Sequence, residues 1–230
     1  MEILSFEVLP STNTYACDNF DTLADGQIIL AKTQTAGRGR LKRVWLSSEG
    51  GLYFSLVVKP QNFKIDFLGS LTQAMALSVC KTLQSCGAKE AVLKWPNDIL
   101  CQGKKICGIL SQAVFKEGEL CGVVIGVGVN IAQEKIDSPK PAISLKMLGI
   151  EAKKDDVLKG IINRFNIYYP QVCKQGFKAI KDEFLKNFPF INKEIKIVVD
   201  DKDFCGICHG LDDKGQLLLD DKVVNIGDME

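Results

Sequence analysis

The chain has 230 residues, 46% hydrophobic and 25% charged, with a formal net charge of +1. That is an ordinary globular composition, long enough for one large domain or one domain plus a small one, and its charge balance argues against a general nucleic-acid binder. No run approaches the ~18 apolar residues of a membrane span, and the N-terminus has Glu2 and no basic segment, so it is not a secretory signal; a cytoplasmic protein without membrane or DNA partners is expected.

In chain order, a strand is predicted around Ile3 to Val8. A helix capped by Ser11 or Thr12 then runs through Tyr15, Ala16 and Phe20. Ile28 to Ala31 reads as a buried strand and leads into the segment that stands out most, Thr33 to Trp45. The chain holds four arginines, and three of them are Arg38, Arg40 and Arg43. Lys32 and Lys42 add charge, and no acid intervenes between Lys32 and Ser48. A guanidinium presents a rigid fork that meets carboxylate or phosphate oxygens two at a time, which lysine cannot do. With Gly37 and Gly39 allowing close backbone approach and keeping the segment mobile, it reads as a loop that closes over an anionic ligand.

Leu52 to Val58 follows as a strand stopped by Pro60, and Phe67 to Ser85 has helical periodicity with Gly87 as a stop. Strands are then predicted at Ala91 to Lys94, Lys105 to Val114 and Leu120 to Ile131, with turns at Gln102-Gly103 and Glu117-Gly118. The apolar run from Cys121 to Asn130 reads as a central strand buried on both faces. Gly126 and Gly128 within it lack the third glycine and the strand-to-helix context of a dinucleotide motif, so they are expected to admit a planar ligand or a neighbouring backbone. Lys94-Trp95-Pro96-Asn97-Asp98 ends a buried strand either as a plain turn or as an ammonium beside an aromatic wall. A hairpin folding back would bring Lys104-Lys105 next to Lys94 and make a shared phosphate site.

Asp155 to Gln175 is helical, with Pro170 expected to kink or end it, and Phe177 to Asn187 is a further helix. The period then changes to two at Ile195–Val199, Phe204–Cys208, Leu217–Leu219 and Val223–Ile226. Short strands after turns suggest a small β-barrel appended to an α+β domain, with domains at 1–187 and 188–230. Nine cysteines, an odd count without a framework, are expected to be reduced and mostly buried. Cys205-Gly-Ile-Cys208-His209 spells a haem-attachment sequence, but it lies in a strand pattern on a chain without an export signal and is read as coincidence, with haem or a zinc site as the alternatives. His209 is the only histidine, which largely removes triads and zinc-hydrolase clusters.

Five islands in order resemble the biotin–protein ligase family: Ser11-Thr12-Asn13; Gln34 with Gly37-Arg38-Gly39-Arg40 and Trp45; Lys94 to Asp98; Lys105 with Gly108; and Gly126-Val-Gly128-Val-Asn130. The resemblance covers nearly the whole chain. It implies a mixed sheet packed with helices, like the catalytic domain of class II aminoacyl-tRNA synthetases, followed by an SH3-like barrel. It implies activation of biotin by ATP to biotinyl-5′-adenylate with magnesium, then transfer to a lysine of a biotin carboxyl carrier domain, such as that of acetyl-CoA carboxylase. On this reading Ser11, Thr12, Asn13, Gln34 and Lys105 contact biotin, and Arg38, Gly39 and Arg40 form a lid ordered by binding. Arg38, Arg40, Arg43, Lys94 and Lys105 neutralise the two reacting anions, with Arg40, Lys94 and Lys105 at the reacting groups. Trp45 and Asn130 lie near the adenine, Asn97, Gly108 and Gly128 line the site, and Asp98 helps hold the metal or the lysines. Where the family's loop commonly continues Arg-Gly-Arg, this one has Leu41-Lys42-Arg43, so the middle of the clamp differs. Ser11 lies too close to the start for an N-terminal winged helix, so no repressor role is expected. Family members often associate through the sheet, which brings a homodimer within what the resemblance implies, though no stretch identifies an interface. Lipoate–protein ligases and octanoyltransferases share the fold and the acceptor logic, and a non-catalytic regulator is the rival of another class; the arginine loop with Lys94 to Asp98 favours biotin chemistry.

Overall fold

A computed structural model describes residues 2–60, 65–200, 202–220 and 222–229, without the side chains of Lys42 and Ile65. Seven strands form one sheet: β1 (Ile3–Leu9), β2 (Ile28–Gln34), β3 (Leu52–Val58), β4 (Val92–Lys94), β5 (Asp98–Cys101), β6 (Lys104–Lys116) and β7 (Glu119–Val129), in the order β1-β2-β3-β7-β6-β5-β4. Only β1 and β2 run parallel; the other neighbours are antiparallel.

Period-two alternation in β3 and β7 divides the apolar residues between two cores. Phe54, Leu56 and Val58, with Val123, Ile125, Val127 and Val129, point to the larger core. There they meet α2 (Leu68–Ser85) and α3 (Lys154–Gln175), and α2 is buried around most of its circumference, the pattern of a helix clamped between a sheet and a second helix. Val57 and Val124 point the other way, to a small core with Ala16, Phe20 and Leu23. This face is covered by α1 (Thr12–Asp18), seven residues long and capped by Ser11, whose Oγ accepts from the Thr14 amide at 3.3 Å. So short a helix covers only part of the face. Beyond its N-terminus, at Gly126, Gly128 and Gly108, no helix covers the sheet. That is where the site forms.

Pro170 lies inside α3 and does not end it. The expected helix from Phe177 divides into a 3-10 turn (Gly176–Ala179) and α4 (Lys181–Lys186). Asp98 opens strand β5, which was read as part of a turn because four residues are too few to show a period.

The C-terminal residues form a separate five-stranded antiparallel sheet, in keeping with an SH3-like unit: β8 (Glu194–Val199), β9 (Lys202–Leu211), β10 (Leu217–Leu219), β11 (Lys222–Val224) and β12 (Asp228–Met229), in the order β11-β10-β9-β8-β12. The expected last strand thus becomes two short ones. Ile195, Ile197, Leu217 and Met229 join the larger core, so no solvent layer separates the sheets. The Gly215 carbonyl at a turn accepts from Trp95 Nε1 at 3.0 Å and Gln73 Nε2 at 2.7 Å, fastening the second sheet to the first. In β9, Cys205 is exposed and Cys208 buried, as residues three apart on a strand must be on opposite faces. Among the described residues no group of three or more His, Cys, Asp or Glu side chains is placed to hold a metal ion, and no helix is long and apolar enough to cross a membrane.

Candidate functional site

The bare end of the sheet opens into a cavity of about 700 Å³. Its floor is the cross-strand pair Gly108 and Gly128. The Trp45 indole lies on both: a Cβ at Gly108 would stand 2.9 Å from Trp45 Cζ3, and one at Gly128 would overlap the indole Nε1. The expected planar neighbour of these glycines is therefore a side chain of the arginine segment. Trp45 Nε1 is buried here with no hydrogen-bond partner, and Lys105 Nζ stands 5.3 Å from the ring centroid. Gly126 makes room in the same way for Asn13, whose Nδ2 donates to the Leu110 carbonyl at 3.1 Å.

At one end sit Ser11, Thr12 and Asn13, all buried. The Thr12 hydroxyl is 2.9 Å from Ser55 Oγ, and the Thr12 amide donates to Gln34 Oε1 at 2.8 Å. Gln34 Nε2 donates to Ser47 Oγ at 2.7 Å, which in turn donates to the Trp45 carbonyl at 3.1 Å. Gln34 thus ties the start of α1 to the arginine segment. That segment is laced as a hairpin: Gln34 faces Ser47 and Arg38 faces Val44 in antiparallel bridges, and Gly39 N donates to Arg43 O at 2.8 Å. In this conformation the glycine-containing segment therefore carries hydrogen bonds of its own. Gly37 serves this lacing, since a Cβ there would collide with the Trp45 carbonyl.

At the other end the β4–β5 hairpin places Lys94 opposite Asp98. Lys105, at the start of β6, reaches back to Asp98 with Nζ 2.7 Å from Oδ1. Asp98 therefore holds a lysine, one of its two expected roles. The fold-back of the hairpin occurs as anticipated for Lys105, while Lys104 is exposed and outside the cavity. Trp95 is 2% exposed and belongs to the core, and it also lines the cavity beside Lys94. The Asn97 amide donates to the Ile109 carbonyl at 2.6 Å, and its oxygen accepts from Arg40 at 3.3 Å. Asn130 donates to the Ile143 carbonyl at 3.1 Å and so holds the chain leaving the 136–142 segment against the cavity.

Every residue expected at the site lines this cavity except Gly37, and Arg164, the arginine read as remote, lies far off on Ser85. Two parts were not anticipated. The segment 136–142 forms one rim, held by Lys105 N donating to Pro141 O at 2.9 Å; its proline-rich composition carries no chemical signal of its own. The other is Asp228, from β12. Its carboxylate is 3.0 Å from Arg40 Nη1 and also pairs with Arg43, a contact between residues 188 positions apart in the first case. Chemically, the site is a pocket with a buried polar end, an aromatic cover and cations on two walls, suited to a ligand carrying more than one negative charge.

Residues 5–130 match the model of the Biotin/lipoate A/B protein ligase family. The chain is 30% identical over 217 residues to the bifunctional ligase/repressor BirA of Escherichia coli (strain K12), covering 93% of this chain and 67% of that protein. It is 28% identical to the biotin–[acetyl-CoA-carboxylase] ligase of Paracoccus denitrificans, over 91% of this chain and 90% of the other. A solved structure of the biotin protein ligase of Aquifex aeolicus in complex with biotin and ATP superposes with a TM-score of 0.87 at 27% identity, covering 100% of this chain and 97% of that one. Fold, cavity and sequence agree: the chain is a ligase and belongs to the Biotin/lipoate A/B protein ligase family.

Proposed function

We propose that this ligase joins biotin to ATP and then passes the biotinyl group to a lysine of a biotin carboxyl carrier domain, such as that of acetyl-CoA carboxylase. One observation carries the reading: Arg38, Arg40, Arg43, Lys94 and Lys105, from three separate stretches, surround a single cavity with a buried polar end. In the first step a biotin carboxylate oxygen bonds to the α-phosphorus of ATP, and the bond to the β-phosphate oxygen breaks, releasing pyrophosphate. Two anions cannot approach unless their charge is neutralised, and the two cationic walls supply this. In the second step the lysine amine attacks the acyl carbon, AMP leaves, and the amine loses a proton. No covalent enzyme intermediate is required. Residues 1–187 act as the catalytic domain and 188–230 as the C-terminal domain.

Ser11, Thr12 and Asn13 form the end suited to the ureido ring, and Lys105 the end suited to the carboxylate. Arg38, Gly39 and Arg40 cover the phosphates, and Trp45 provides the face on which a flat ring can rest. Magnesium fits this donor set only with the substrate's help. Asp98 offers one carboxylate, and a magnesium ion commonly takes one or two carboxylates and completes its shell with phosphate oxygens and water. Its chemistry there is to neutralise phosphate charge. The curated relatives named as biotin–[acetyl-CoA-carboxylase] ligases support the acceptor class. The near-neutral charge supports a reading without DNA binding.

Purified protein should exchange labelled pyrophosphate into ATP only when biotin is added. A carrier domain added afterwards should gain the mass of one biotinyl group. Exchange driven by lipoate or octanoate instead would overturn the assignment.

A further inference from the structure

Asp228 stands where two units of the chain meet. It lies in β12, which pairs with β8 through Asp228 opposite Val198 and Met229 opposite Ile197, and the buried Met229 side chain pins the strand. The Asp228 side chain is 14% exposed and faces the cavity. One carboxylate thereby holds two of the three arginines of the 34–47 hairpin. Arg40 has further acceptors besides: the Gly227 carbonyl at 3.1 Å and Asn97 Oδ1 at 3.3 Å.

We propose that Asp228 is the resting counter-ion of the arginine hairpin, a positioning residue whose carboxylate balances Arg40 and Arg43 until the phosphates of the nucleotide take its place. A carboxylate and a phosphate oxygen present the same acceptor to a guanidinium fork, so the two compete for one partner. Because Gly227 O and Asn97 Oδ1 also hold Arg40, the guanidinium keeps its place when the carboxylate loses its charge. The counter-ion's effect is therefore on the cost of admitting an anion, with the arginine left where it is. The same contact couples the C-terminal sheet to the cavity: as phosphate binds, the Asp228 carboxylate gives up its share of the hold on the hairpin, and the Gly227 carbonyl keeps its own. This rests on the nucleotide reading above, and the experiment separates the two.

Inorganic pyrophosphate is titrated calorimetrically into the full chain and into Asp228→Asn, which keeps the size and one acceptor oxygen. Asp228→Asn should bind pyrophosphate roughly fivefold more tightly, the size of one partly screened ion pair. Its KM for ATP should fall by a similar factor without a rise in kcat, and Asp228→Glu should restore the parent values. A residue that merely holds the hairpin in shape would give the opposite sign, with weaker binding and a higher KM. Should Asp228→Asn not fold, Asp228→Ser carries the same test, because Met229 still pins the strand. Pyrophosphate affinity unchanged or reduced in the folded variant overturns the proposal. Failure of biotin-dependent exchange in the parent overturns the function reading alone, since the pyrophosphate titration needs no turnover.

Discussion

Gly128→Ala adds one methyl group to the floor of the cavity and tests what that floor is for. Gly128 lies in β7 between Tyr53 of β3 and Gly108 of β6, with backbone that alanine adopts freely, so the strand itself is not strained. The new Cβ would stand 2.9 Å from Trp45 Cζ2 and overlap Nε1 and Cε2. Carbon pairs settle at about 3.5–4.0 Å, so the indole must rise by about 1 Å. Strand β7 is paired on both sides and cannot retreat, whereas Trp45 is only half-buried and can. The stability cost should therefore stay under about 1 kcal/mol, below the ~1–3 kcal/mol usual for overpacking a closed core. A ligand resting on the outer face of the indole meets the displaced ring. For it the full overpacking cost of ~1.4–2.8 kcal/mol applies, a rise of roughly 10- to 100-fold in KM for biotin. Urea unfolding and biotin-dependent pyrophosphate exchange measure the two quantities on one preparation. A folded variant whose KM for biotin stays within about twofold of the parent would refute the idea that ligand rests on the indole above this glycine pair.

Lys105→Ala removes the cation that meets Asp98 and should lower kcat by about 10²- to 10³-fold, the usual loss for one donor aimed at developing charge; single-turnover formation of the adenylate checks this. Arg40→Gly breaks the links to Asn97, Gly227 and Asp228 at once, so the adenylate should dissociate at least about tenfold faster, as read by chase with unlabelled biotin. Burial pushes the Cys80 thiol and the Tyr53 phenol up to about 12, from ordinary values of 9.0 and 10.0. Both groups stay protonated in the fold while the unfolded chain ionises, so their contribution is complete below pH 9 and is lost as pH rises from 9 towards 12. Urea midpoints should fall across that window, and Tyr53→Phe should flatten the part above pH 10.

The strands and helices with long periods were legible because burial writes itself into the sequence at intervals of two or between three and four. Strand β5 was not, since Asp98–Cys101 is too short to carry a period and its identity depends on pairing with β6. Pro170 does not end α3: a proline removes one donor, but packing along a helix of 22 residues carries it through. At the site, the unusual residue types were legible and their partners were not. Three arginines in one segment announce an anion, but nothing in that segment says that the neutralising carboxylate comes from Asp228, far along the chain. Asn130 lines the cavity as expected of a site residue, and its amide donates to the Ile143 carbonyl beside the 136–142 rim, a partner that its place in a glycine-rich strand does not reveal. Both tryptophans line the cavity, Trp95 from the core side and Trp45 as the cover over the glycine pair.

Leu41 opens the stretch where the loop differs from what the family resemblance leads one to expect, and its backbone makes that stretch testable. Its backbone is left-handed, with φ 51° and ψ 44°, and its side chain is 69% exposed, so almost no burial offsets the conformation. An L-residue with a Cβ bears roughly 1–2 kcal/mol in that region, and glycine does not. Leu41→Gly relieves that strain but enlarges the unfolded ensemble, which costs about 0.5–1 kcal/mol in the opposite direction. The two nearly cancel, and global stability should change by no more than about 1 kcal/mol. The hairpin's own freedom has nothing to cancel it. Glycine at the tip widens the range of conformations between Arg40 and Arg43, so each arginine is held less firmly on a bound phosphate, and the adenylate should leave several-fold faster. An equal off-rate in the two proteins would show that the bound phosphate and the hydrogen bonds across the hairpin fix its tip without help from Leu41. A large loss of global stability would show instead that Leu41 packs against the rim of the neighbouring cavity of about 590 Å³, which it lines together with Ile226.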